Sequence, residues 1–226
     1  MVAFNPQNKA KAAVFLCPIM EASLVKFTGS KIKKSRSLGV ALTPKAEKYM
    51  DRKPYGPGMH GRNSQMRRKK MSPYKAQLVE KQRLRFQYNV HERQMVNYYK
   101  KASKKGDLIN TLIQLLEARL DAVVLRGGLA RTIYAARQYV NHGHVLVNGK
   151  KVDIPSYQVK PEDVVSVRKK SMNMDCFHVA LDTSLTPPPY ITRDKKAMTV
   201  TFGYNPPREE IPVTCEIPLV IEYYSR

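Results

Sequence analysis

Between His144 and Asp153 the chain reads His-Val-Leu-Val-Asn-Gly-Lys-Lys-Val-Asp. An Asn-Gly pair between two alternating runs leaves the backbone few choices. A two-residue type I′ turn needs φ > 0 at both central positions, which Asn and Gly adopt at least cost, so the flanking runs are expected to pair as an antiparallel hairpin. What precedes the hairpin narrows the fold further. Leu112, Leu115, Leu116, Leu120, Val123 and Val124 recur at helical spacing until Gly127-Gly128 breaks the pattern, and Gly106-Asp107 marks the start of this long helix. Thr132 is placed to cap a second, short helix from Ile133 to about Asn141. On that helix Ile133, Ala136 and Val140 form one stripe and Tyr134, Arg137, Gln138 and Asn141 another, and Gly143 ends it. A third strand, Val164 to Val167, follows the turn Pro161-Glu162-Asp163. The expected product is a helix pair packed on a short antiparallel sheet with a basic tip.

Charge indicates the kind of partner. The chain carries 40 Lys+Arg against 18 Asp+Glu, a net +22, and the excess is concentrated. Residues 31–105 hold +18, whereas residues 1–30 hold +2, residues 106–170 hold +4 and residues 171–226 hold −2. One third of the chain thus generates most of the field, as suits a polyanion whose condensed counterions are released on binding. A basic protein that is merely soluble is the plainer alternative. A membrane as partner is disfavoured, because no stretch of about eighteen apolar residues is present to span a bilayer.

Cys17, Cys176 and Cys215 lie far apart, so neither a disulfide framework nor a Cys-x-x-Cys metal pair is expected. Of the five histidines only His142 and His144 are close, and they straddle a helix end. Residues 1–27 read as an extension, helical or tail-like; their apolar run from Ala12 to Met20 is interrupted by Pro18 and lacks a convincing cleavage site. From Thr28 to Lys70 there is little hydrophobic periodicity. Lysines and arginines there surround the glycine-rich stretch Arg52-Lys53-Pro54-Tyr55-Gly56-Pro57-Gly58-Met59-His60-Gly61-Arg62. That composition fits a loop whose backbone comes close to another backbone, and it also fits an exposed basic tail.

Ser72-Pro73 starts a helix that runs to about Tyr88. A second helix, Glu92 to about Lys105, buries Met95, Tyr98 or Tyr99, and Ala102. Its closing lysines, Lys100, Lys101, Lys104 and Lys105, serve equally as charges on a helix C-terminus or as contacts to an anion. After Val167 the stretch Arg168-Lys169-Lys170 forms another basic tip. Beyond Ser171 the chain is slightly acidic, Pro187-Pro188-Pro189 rules out regular helix, and Ala197–Phe202 and Leu219–Tyr223 read as strands.

These residues carry a resemblance. Arg119-Leu120-Asp121, then AARQYV, then HGHVLVNGKKVDIPSY look like the small RNA-binding module named after ribosomal protein four of the bacterial small subunit. The loop Arg52–Arg62 is similar to that family's Pro-Gly-Gln-His-Gly loop, with Gly56 and Met59 standing where Pro and Gln or Glu are usual. Glu80 to Arg85 and Glu92 to Met95 resemble its helical domain, and Glu210 to Val213 with LVIEYYSR resembles its C-terminus. From about Gly29 to Arg226 the chain therefore resembles the small-subunit ribosomal protein four family itself and not the module alone.

That resemblance implies an α+β fold: an extension (residues 1–28), a basic, mainly helical domain (29–106), an inserted RNA-binding module (107–175), and a tail (176–226) returning to the helical domain. It implies a structural, early binder of small-subunit rRNA that nucleates assembly of the subunit body, sits beside ribosomal protein five where mRNA enters, and affects decoding accuracy. Its place is a ribosome, cytoplasmic or organellar. No cofactor is expected, and no zinc, since the four-cysteine site of many relatives is reduced here to Cys17. Shape more than base sequence would be read, through phosphates.

Charge and resemblance together nominate the RNA contacts. They are Lys31, Lys33, Lys34, Arg36, Arg52, Lys53, Tyr55, Gly58, His60, Gly61, Arg62, Arg67, Arg68, Lys69, Lys70, Tyr74, Lys75, Lys81, Arg83, Arg85, Arg119, Arg131, Arg137, His142, His144, Asn148, Lys150 and Lys151. Arg137 is expected to fork onto phosphate oxygens, or else to make only a surface ion pair.

Two rival classes share features with this chain. Arg119-Leu120-Asp121 is similar to the Arg-Leu-Asp of pseudouridine synthases, whose aspartate is catalytic. The continuation Ala122-Val123-Val124 departs from that pattern, and no stretch remains for a catalytic domain. A free-standing RNA chaperone built on the module leaves the long basic helical domain without a purpose.

Overall fold

The computed structural model describes residues 27, 29–62, 71–183 and 186–225. The extension, Cys17 and the basic run Arg67–Lys70 lie outside these. The fold is α+β, as expected.

The stretch without hydrophobic periodicity holds two short helices, α1 (Lys31–Leu38) and α2 (Pro44–Arg52). Caps make them. Ser30 accepts from the Lys33 amide and Thr43 from the Ala46 amide, with Pro44 in the first turn of α2. Thr43-Pro44 is the same signal as Ser72-Pro73, but α1 and α2 bury so few apolar residues that no stripe marks them. Leu38, Leu42 and Phe86 form a small cluster of their own, with Phe27 edge-on to Phe86 at 5.2 Å.

Two longer helices follow, α3 (Pro73–Gln87) from its Ser72 cap and α4 (Glu92–Ala102), which buries Met95, Tyr98 and Ala102. The long helix expected next is two helices, α5 (Leu108–Glu117) and α6 (Leu120–Arg126). At Arg119 the backbone is extended (φ −68°, ψ 139°) and bridges to Gln158. The Leu120 amide donates to Tyr157 O at 2.9 Å, and the Val159 amide to Ala118 O at 2.7 Å. The apolar spacing runs through the break because residues on both sides enter one core, which hides the break from periodicity. α5 packs on α4.

The hairpin region forms as read. Thr132 caps α7 (Ile133–Asn141), which buries Ile133, Ala136 and Val140. Strands β1 (Val145–Val147) and β2 (Lys150–Lys151) flank Asn148 (φ 48°) and Gly149 (φ 77°). The Asn148 side chain accepts from the Val164 amide at 2.9 Å and donates to Asp163 at 2.8 Å, locking the turn to β3 (Val164–Val167).

The sheet is larger than expected. Strands β4 (Ile191–Asp194) and β5 (Thr199–Phe202) extend it to the order β2-β1-β3-β5-β4, antiparallel throughout. Between them and β3 runs a further helix, α8 (Asp175–Thr183). Leu219–Tyr223, read as a strand from its Val, Ile and Tyr, lies instead in α9 (Ile217–Tyr224). β-propensity is a weak prior. Here Pro218 suits a first helical turn, and Ile217 and Val220, three apart, are buried on one face as α9 packs on α3. The tail therefore divides: its strands complete the five-stranded sheet, and α9 packs on α3.

One core joins both halves, including Leu84, Met95, Leu116, Leu120, Val145, Val165, Phe177, Phe202 and Val220. Each such side chain contributes about 1.5–3 kcal/mol relative to exposure. At the seam Gly127 is required, since a Cβ there would lie 2.5 Å from a Val200 methyl. Inside the core sits a polar joint. Fully buried Glu117 accepts from Tyr88 Oη (2.6 Å), Arg126 Nη2 (2.8 Å) and Tyr190 Oη (3.2 Å), binding α3, α5, α6 and the tail at one carboxylate. Burial, then the Glu117 charge, pushes both tyrosine hydroxyls well above their ordinary range.

Candidate nucleic-acid interface

The nominated cations separate into two groups, according to whether the fold leaves the charged head in water or spends it inside. On the helical domain Lys33, Arg52, Lys53, His60, Arg62, Tyr74 and Lys75 are exposed, as are Arg131, His142, Asn148, Lys150 and Lys151 on the module. Lys45 and Lys48 of α2, outside the nominated set, are exposed as well. The Arg168-Lys169-Lys170 tip is also exposed. The charged heads among these face solvent, where a phosphate can meet them, whereas Tyr74 lies against Tyr223 at 6.0 Å and Asn148 is engaged in its turn.

Two lysines of α1 are half-buried against rings. Lys31 Nζ lies 3.8 Å from the centroid of the Tyr134 ring, joining α1 to the polar stripe of α7. Lys34 Nζ stands 5.7 Å from Phe27 and 5.4 Å from Phe86. The basic faces of the two halves therefore meet at α1 and α7.

Other nominated residues are turned inward. Arg119 is fully buried: Nε and Nη2 donate to the two Asp121 oxygens at 2.9 and 2.6 Å, and Nη1 to Tyr98 Oη at 2.9 Å. Lys81 is 4% exposed, donating to Glu92 at 2.9 Å with Nζ 4.5 Å from the Tyr223 ring. Neither side chain has surface to offer a phosphate, so both leave the interface. A buried charge needs a partner, and these two have one. Arg83 is half-buried, donating to Leu38 O at 2.7 Å and pairing with Glu80, and Arg85 pairs with Glu92 at 3.2 Å. Arg137 is half-buried, and Nη1 donates to Asn89 O at 3.0 Å, so one arm of its guanidinium ties α7 to the end of α3. His144 Nδ1 is hydrogen-bonded with Ser171 Oγ at 2.9 Å, and burial, then His142 and Arg168, hold its imidazole below the ordinary range.

The glycine-rich loop is also internally built. Arg36 Nε and Nη2 donate to Tyr55 O at 3.1 and 2.9 Å, and Nη2 to Gly56 O at 3.1 Å. Gly61 faces Gly56 so closely that a Cβ would lie 2.0 Å from Gly56 O. The close backbone approach foreseen for these glycines is thus made within the loop itself. Gly58 (φ 93°) stands in open space. Arg67–Lys70 lie outside the described residues.

Asp121, the residue on which an enzyme would depend, is fully buried under the Arg119 fork. Burial raises its carboxyl against the lowering pull of Arg119, and no substrate reaches it. The carboxylate is Arg-paired and shielded from solvent. Among the described residues no cluster of three His, Cys, Asp or Glu is placed to hold a metal ion, and no helix is long and apolar enough to cross a membrane.

A family model described as the ribosomal protein S4/S9 N-terminal domain matches residues 26–117, and one described as the S4 domain matches residues 118–165. The two meet where α5 gives way to Arg119. The chain is 52% identical to the small ribosomal subunit protein uS4 of Streptomyces avermitilis, covering 87% of this chain and 97% of the relative. It is 49% identical to that of Micrococcus luteus (88% and 97%) and 48% identical to that of Chlorobium phaeovibrioides (90% and 100%). With this identity running along nearly the full length of each relative, and with both family models meeting at the seam of the fold, the chain belongs to the uS4 family of small ribosomal subunit proteins.

Proposed function

We propose that this chain is a structural, non-enzymatic component of the small ribosomal subunit, cytoplasmic in a bacterial cell, that binds small-subunit rRNA early and nucleates assembly of the subunit body. One observation carries the binding reading. Cations are left exposed by the fold on α1, α2 and the Lys53–Arg62 loop and, on the module, at Arg131, Lys150 and Lys151, and the Lys31–Tyr134 contact ties α1 to α7. Two basic surfaces at a fixed relation suit the clamping of phosphates across a folded RNA junction. A place beside ribosomal protein five where mRNA enters, with an effect on accuracy, is the further expectation of family membership. The acidic tail is the surface suited to a protein neighbour.

Equilibrium binding of the full chain to small-subunit rRNA at several salt concentrations tests this. A log–log slope reporting several phosphates, at about 0.9 per phosphate, is expected. Binding with no salt dependence would remove the proposed mechanism. Reconstitution of the subunit with this protein omitted should stall before the body forms; normal assembly without it would remove the nucleating role. Purified chain is expected to hold no stoichiometric zinc by elemental analysis.

A further inference from the structure

Arg36 was nominated as a phosphate ligand, but the edge of the guanidinium that grips a phosphate is occupied. Nε and Nη2, the side-on fork, both point at carbonyl oxygens of the Lys53–Arg62 loop, on Tyr55 and Gly56. The guanidinium carbon also lies 5.0 Å from the Tyr55 ring centroid, so the same group stacks on the loop as well as bonding to it. Further along, the Gly61 amide donates to Gly58 O at 3.2 Å, and Gly61 backs onto Gly56 O without room for a Cβ. A loop closed by a guanidinium at one end and by backbone contact at the other has its shape before any ligand arrives.

What the loop holds out is unusual. Met59 is 88% exposed, the most exposed large apolar side chain of the described residues, and it stands between Gly58 and the exposed His60. An apolar side chain on a pre-shaped turn, flanked by Arg52, Lys53 and Arg62, is surrounded by the charges that draw a nucleic acid. An apolar wedge or imidazole face suits the π-face of an unpaired base, which proteins contact by stacking.

We infer that Arg36 is a positioning residue, a strut that preforms the Lys53–Arg62 loop so that Met59 at its tip meets an unpaired base of the bound RNA. This rests on the rRNA-binding reading above. Arg36 itself touches no phosphate. Lysine cannot replace it, because an ammonium cannot reproduce the planar fork on two carbonyls together with the stack on Tyr55.

The test uses the full chain, small-subunit rRNA, and the variants Arg36→Lys, Arg36→Ala, Gly61→Ala, Met59→Ala and the Arg36→Ala/Gly61→Ala pair. Arg36→Lys and Arg36→Ala should each weaken binding about tenfold. In the RNA-free chain both should speed tryptic cleavage after Arg52, where α2 runs into the loop, while the melting temperature of the whole chain stays put. The Arg36→Ala/Gly61→Ala pair should be little worse than its worse member, since both changes open one loop. Met59→Ala should weaken binding severalfold with cleavage unchanged. Full affinity in Arg36→Lys, multiplying losses in the double variant, or unchanged affinity in Met59→Ala would each overturn the inference. A wild-type chain that fails to bind the RNA would instead remove the reading on which it rests.

Discussion

Two basic loops reach out from this molecule, and they are held by different means. The hairpin tip Asn148–Lys151 is set by its own backbone: two positive-φ residues turn the chain, and β1 pairs with β2 on one side and β3 on the other. The Lys53–Arg62 loop has no ladder. A side chain from α1, nineteen and twenty residues earlier, supplies the bonds that close it. Both loops display cations, but the first draws its shape from a backbone turn and the strand ladders beside it, and the second from a single side chain. Local turn chemistry tolerates changes elsewhere in the fold. A strapped loop depends on one guanidinium and on one glycine that backs against another.

The largest effect should come from breaking the buried ion pair where α5 gives way to α6. Arg119→Ala leaves Asp121 buried without its partner, at a cost of about 3–5 kcal/mol. Thermal unfolding should shift far down, and both loops should become sensitive to trypsin together. If one loop alone loosens, the pair does not support both.

Next in size is the direct contrast of the loops' glycines. Gly61→Ala drives a Cβ into Gly56 O and should weaken rRNA binding about tenfold with little change in melting temperature. Gly149→Ala meets no atom but holds φ 77°, so it should cost about 1–2 kcal/mol of stability and less affinity. Binding isotherms and melts of the two variants that rank the other way would reverse the comparison.

A smaller effect should follow from charge alone. Lys150→Ala with Lys151→Ala leaves the backbone turn intact, so the melt should hold while the salt slope of rRNA binding falls by about 0.9 for each phosphate lost. An unchanged slope would take the hairpin tip off the RNA. Arg137 occupies the middle ground. Its bond to Asn89 O makes Arg137→Ala lower the melting temperature as well as affinity, whereas a free phosphate fork would lower affinity only.

The smallest effect is a pH dependence of the helical side. Burial alone would raise the Glu92 carboxyl, but bonds from Lys81, Tyr224 and Arg85 outweigh it and hold the group below its ordinary range. A carboxyl depressed in the folded state contributes stability that is present above its unfolded pKa and lost as pH falls through the folded one. Melts of the wild-type chain should therefore weaken on acidification below the ordinary carboxylate range, and Glu92→Gln should remove that part of the slope. Identical pH profiles would take Glu92 out of the account.

Much of the fold was legible because its signals are local. Asn148-Gly149 sets a turn, Thr132 and Ser72-Pro73 set helix starts, and the stripe of Ile133, Ala136 and Val140 sets a buried face, each within a few residues of what it governs. The sequence by itself determined those elements, the α+β class and the concentration of charge in residues 31–105. Tertiary structure decided what depends on partners far along the chain. It broke the long apolar helix at Arg119, where the backbone turns to Gln158, and it coiled Ile217–Tyr224 because α3 offered a groove and no strand edge. It also sorted the cations. Composition counts a guanidinium as a charge for a phosphate, yet Arg36, Arg119 and Arg137 bond to carbonyls or a carboxylate of their own chain. The reason is geometric: a planar fork satisfies backbone carbonyls and carboxylates as readily as phosphates, and only the folded chain shows which acceptor lies within reach.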